Sequence, residues 1–74
     1  MISFEKNSDK DIFELHFDKD GIDYLINLLK DLKESNKDNH IHLQSQKYGG
    51  NELSDISQGH NSELINQLDL FYWK

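Results

Sequence analysis

Phe13-Glu14-Leu15-His16-Phe17-Asp18-Lys19-Asp20-Gly21-Ile22-Asp23-Tyr24-Leu25-Ile26 is the stretch that decides how this chain folds. Phe13, Leu15 and Phe17 share one face of a strand, and Ile12, Glu14 and His16 the other, because side chains alternate across a strand. The period then changes. Ile22, Leu25, Ile26, Leu29 and Leu32 recur at helical spacing, which predicts a helix from about Lys19 to Glu34 with these five as its buried stripe. Tyr24 and Leu28 widen the apolar arc on one flank. Asp18 stands at the junction as an N-cap, and Asp20 complements the positive end of the helix dipole. Gly21 costs about 1 kcal/mol of helix propensity against Ala. It either admits a close approach to a sheet or is simply tolerated.

Upstream, Ile2 and Phe4 share a face of a first strand, and the polar turn Asn7-Ser8-Asp9-Lys10 joins it to the second as a hairpin. Downstream, Ser35 to Asn39 is a polar stop without a C-cap glycine. Asn39-His40-Ile41-His42-Leu43 then alternates again, with both imidazoles on one face and Ile41 and Leu43 on the other. Paired glycines make Lys47 to Asn51 a loop. Glu52 to Ile56 reads as a brief strand or an irregular edge, and Gln58 to Asn61 as a turn, with His60 exposed to solvent. In Ser62 to Lys74, Leu64, Leu68, Leu70 and Tyr72 form the better core face of a strand, which places Phe71 and Trp73 outside. A helix from Glu63 to Leu70 is the competing reading. Strands clustered about a single helix predict one α+β domain over residues 1–74, a mostly antiparallel sheet with one amphipathic helix packed on one face.

The opposite sheet face is expected to be open and to carry Glu14, His16, His40, His42, Gln44, Gln67, Asp69, Phe71 and Trp73. Imidazoles two apart on a strand can share a metal ion, with His16 or Glu14 as a third ligand, but no fourth ligand has a recognisable spacing. Histidines beside carboxylates suit acid–base work. Yet no nucleophile has a base partner, no loop is built to cradle phosphate, and the core is too small for a deep pocket. A protein-binding face fits the mixture better, since aromatics anchor and charges select. A homodimer covering the same face is its alternative. Tyr48, before Gly49-Gly50, is either part of a turn or a contact residue held outward.

Composition narrows the class further. A chain of 74 residues buries a small core, and without cysteine it has no disulfide or thiolate–metal staple. Fourteen acidic residues face eight basic ones, all lysine, for a net charge of -6. Phosphate contacts need a basic patch and base reading favours Arg, so nucleic-acid binding is disfavoured. Such a surface steers association with a basic partner. No apolar stretch is long enough to span a bilayer and no signal-peptide pattern is present, so a cytoplasmic protein without a membrane role is expected.

The succession Glu14-Leu15-His16-Phe17, Gly21-Ile22-Asp23-Tyr24-Leu25, His40-Ile41-His42-Leu43, Tyr48-Gly49-Gly50 and Glu52-Leu53 resembles the immunity protein 32 family of bacterial polymorphic-toxin systems. The resemblance runs from about Phe13 to Leu70 and rests on the order and spacing of these elements. It implies a cytoplasmic protein that neutralises a cognate toxin domain by stoichiometric binding, not by catalysis, with no cofactor and no bound metal. The histidine pair and the Gly-Gly loop are the matching positions. Together with the open sheet face and the adjoining acidic loops, they make His16, His40, His42, Tyr48, Glu52, Asp55 and Trp73 the expected contact residues, with Glu52 and Asp55 as charge partners. The alternative is a small homodimeric or metal-binding regulatory domain that uses the histidine-rich face.

Overall fold

The computed structural model describes all of residues 1–74 and contains five strands in antiparallel sheets with one helix packed against them, an α+β fold. Strand β1 (Ile2–Asn7) pairs with β2 (Phe13–Phe17) in a hairpin that runs without a bulge from Ile2 opposite Phe17 to Lys6 opposite Phe13. Helix α1 (Lys19–Glu34) follows directly. Asp18 caps it, accepting the Gly21 N–H at 2.8 Å. The missing C-cap glycine is replaced by Asn36, which takes the left-handed conformation at φ 55°, while Ser35 Oγ donates to the Leu32 carbonyl. Strand β3 (Asn39–Gln44) carries the histidines, and a short 3-10 turn, Gln46–Tyr48, follows it.

Of the two readings of Glu52 to Ile56 the irregular edge is the one found: the segment forms no strand, Leu53 plugs the core, and the Ser54 N–H donates to the Ile2 carbonyl. The expectation for the C-terminal segment needs correction. The C-terminal run is neither one strand nor a helix followed by a strand. It is β4 (Ser62–Leu64), paired to β1, and β5 (Gln67–Tyr72), paired to β3. The chain changes partner at two residues: Ile65 N–H still donates to Phe4 of β1, whereas the Asn66 carbonyl accepts from Ser45 after β3. Ser45 Oγ and Asn66 Oδ1 close this corner at 2.7 Å, and Ser45 is fully buried. The single expected sheet is thus two, a three-stranded β2-β1-β4 and a two-stranded β3-β5.

One core joins them. Ile2 of β1, Leu25 of α1, Leu43 of β3 and Leu53 pack together, flanked by Phe4, Leu28, Leu68 and Leu70. The helix rests on the line Gly21, Leu25, Leu28, Leu32. Of its expected stripe only Leu25 and Leu32 are buried; Ile22, Ile26 and Leu29 are exposed. The line is set at its start by Gly21, where a Cβ would run into the Met1 carbonyl and the Phe17 side chain. That contact rotates the helix toward β1 and the β3–β5 ribbon. Phe13, Leu15 and Phe17 lie on the helix side of the sheet, yet each stays more than two-fifths exposed.

A histidine and aromatic face on the β3–β5 ribbon

The β3–β5 register puts Ile41 opposite Leu70 and Leu43 opposite Leu68 on the core side. On the other side it puts His40 opposite Phe71, His42 opposite Asp69 and Gln44 opposite Gln67. The expected open face is therefore present on this ribbon, and its side chains brace one another along the whole length. Trp73 and Phe71 stack with ring centres 6.1 Å apart, Phe71 and His40 stack at 5.2 Å, and His40 meets His42 edge-on at 5.0 Å. His42 Nδ1 lies 2.6 Å from Asp69 Oδ1. Gln67 Nε2 donates to the same oxygen at 2.8 Å, and Gln44 Nε2 donates to Gln67 Oε1. These hydrogen bonds, from Gln67 first and His42 second, hold the Asp69 carboxyl below the usual carboxylate range.

The ladder is exposed despite its internal contacts: Phe71 retains 56% and Trp73 73% of its full surface. Aromatic rings left in water on a braced ribbon lose little rotamer freedom when a partner covers them. They also present faces that attract cationic side chains.

His16 does not belong to this face. It lies in the other sheet with Glu14, opposite Ser3 and Glu5, and its Nε2 is 2.8 Å from Glu14 Oε1. The split of the C-terminal run between two sheets is what separates it from His40 and His42. Tyr48 is 54% exposed, ahead of Gly49 in the left-handed conformation at φ 91°. Gly50 sits so close to Gln44 that a Cβ would lie 2.6 Å from the Gln44 Cβ, so the loop is fastened to the Gln44 end of the ribbon. Trp73 is at the opposite end. The Glu52 carboxylate accepts the backbone N–H groups of Gln44 and Asn51, which assigns it to holding that loop. Asp55 is exposed in the irregular segment that follows.

A buried carboxylate escaped the reading of the sequence. Glu5 is fully buried, and its oxygens accept from Ser3 Oγ, Ser57 Oγ, Gln58 N–H and Gly59 N–H. Burial alone would raise its pKa; these four donors outweigh it and push the value down from 4.5 to about 2. Donor atoms of Glu5, Glu14 and His16 lie within 4.8 Å of one another, a spacing that a metal ion could use. Those atoms are already engaged: Glu5 by its four donors, and Glu14 Oε1 by His16 and Ser62 Oγ. The cluster is a latch that ties the 57–59 segment to β1. Its only trace in the sequence is the polar alternation Ser3, Glu5, Asn7 opposite Ile2 and Phe4 on the same strand.

No helix is long and apolar enough to cross a membrane. Comparison with protein-family models, with curated proteins and with solved structures finds no match to this chain.

Proposed function

We propose that this chain is an immunity protein that binds and neutralises a cognate toxin domain in the cytoplasm by occlusion, without catalysis. The observation that carries the reading is the ladder Trp73–Phe71–His40–His42–Asp69, exposed yet braced side chain by side chain. Trp73 and Phe71 supply the apolar anchors, and Asp69 and the net charge of -6 favour a basic partner. The resemblance of the sequence to the immunity protein 32 family supports the same reading. Exposed Tyr48 extends the contact at the Gln44 end, and Asp55 contributes a rim charge.

The test is growth rescue. The C-terminal domain of the protein encoded immediately upstream is expressed with and without this chain. Toxicity abolished by this chain, with a complex that co-purifies, supports the proposal; toxicity that persists while this chain is soluble rejects that pairing. Within a complex, His42→Ala combined with Trp73→Ala is expected to raise Kd by about 100-fold or more, with the circular dichroism of the free chain unchanged. Normal binding by the folded double variant would move the contact off this ribbon.

A further inference from the structure

The second unexplained surface lies on β2 and α1, away from the β3–β5 pair. Phe13, Leu15 and Phe17 of β2 are 56%, 42% and 43% exposed, and Ile22, Ile26 and Leu29 of α1 are 38%, 55% and 52% exposed. β2 runs directly into α1 through Asp18, and the two elements are in contact. Asp20 and Tyr24 on one flank of α1 line a cleft with Asn51 and Glu52, and that segment runs along the β1 edge away from β2, where Ser54 N–H bonds Ile2. Ile22 and Ile26, two residues either side of Tyr24, point about 200° round the helix from it, toward the β2 side.

β2 is also an edge strand with no partner beyond it. Natural edges are blunted by proline, lysine or a bulge. Phe13–Phe17 has none of the three, and its one charged residue, Glu14, is engaged by His16 at 2.8 Å. Asn7 N–H donates to Ile12 and Asp18 N–H donates to Met1, so the even-numbered residues of this strand turn their backbone groups toward β1. Phe13, Leu15 and Phe17 therefore direct their N–H and C=O groups outward.

We infer that β2 pairs antiparallel with β2 of a second copy about a two-fold axis at Leu15, making a six-stranded sheet β4-β1-β2-β2-β1-β4. Only odd-numbered residues can exchange hydrogen bonds across this edge, which leaves few registers. Centring on Glu14 sets carboxylate against carboxylate, and centring on His16 sets imidazole against imidazole. Centring on Leu15 sets Phe13 opposite Phe17, Glu14 opposite His16 and Leu15 opposite itself, and it alone uses all three outward residues. The strand is thus complementary to its own reverse in charge as well as in shape. Six half-exposed apolar side chains offer on the order of 500 Å² per copy. Two copies together reach about 1,000 Å², the lower bound for a specific interface. The surface is separate from the histidine face, so the dimer would display two such faces, and the inference stands independently of the proposed function.

Sedimentation equilibrium of the full chain tests it. The expected mass is twice 8.7 kDa. Leu15→Lys, which places two charges on the axis, is expected to raise the dimer Kd by about 100-fold or more, with circular dichroism confirming that the variant is folded. The chain has no cysteine, so Leu15→Cys reports register: its two Cα atoms would be about 5.5 Å apart and join through a short bis-maleimide. Phe13→Cys, with its two copies about 14 Å apart along the strand, would join poorly. A monomeric wild-type chain overturns the inference. So does a dimer that survives Leu15→Lys, or one that cross-links better through position 13.

Discussion

Glu5 shows how much one side chain can organise in a chain this small. Its carboxylate takes four hydrogen bonds, three of them from the 57–59 segment, which has no other regular structure to hold it. Because the folded-state pKa lies below the ordinary value, the carboxylate contributes stability above about pH 4.5 and loses it as pH falls toward about 2. Glu5→Gln is expected to lower stability at neutral pH by about 2 kcal/mol, since an amide NH₂ cannot accept from the Gln58 or Gly59 N–H. Urea denaturation as a function of pH checks both parts: the wild type should weaken through that acid window, and the variant should change less there. The sequence hid this residue because Glu5 sits in an unremarkable alternation; only the return of residues 57–59 over that face gives the carboxylate its donors.

At the scale of elements, the limits of α1 came through in the sequence and its orientation did not. Asp18, the helical spacing and the polar stop locate Lys19–Glu34 without tertiary information. Seven apolar residues on the helix leave more than one line that could face the core, and periodicity alone favoured the richer one. Gly21 selects the other by letting the helix touch the backbone of Met1, just ahead of β1. Gly21→Ala is therefore expected to destabilise by about 1–3 kcal/mol, although Ala gains about 1 kcal/mol in intrinsic helix propensity. Asn27→Ala, on the exposed side, should instead stabilise by a few tenths of a kcal/mol. Thermal melts of the two variants should move Tm in opposite directions. Upward shifts in both would remove the steric role of Gly21. The histidine strand was equally legible, because its period of two needs no partner to assign faces, and β5 supplied the expected residues opposite it.

Across the whole molecule, the two sheets are joined by one small core and by the Ile65–Asn66 crossover, so they are expected to unfold together. Leu43, 2% exposed, touches elements from both sides of that junction. Leu43→Ala should cost about 3 kcal/mol, a large part of the roughly 5–10 kcal/mol expected for a chain of this length. Trp73 fluorescence on the ribbon and far-ultraviolet dichroism over the whole chain should report one coincident transition. Separate midpoints would mean that the sheets are independent units. The sequence by itself determined what local periodicity and capping can encode: an α+β class, the hairpin, the extent of the helix and the exposed histidine face. Tertiary structure alone decided which strands share a sheet, that His16 and His40 stand on different sheets, and that the helix leaves Ile22, Ile26 and Leu29 in water. Those outcomes depend on contacts between residues far apart in the chain, where one close approach at Gly21 and one change of partner at Asn66 reset the surroundings of side chains whose own spacing never changed.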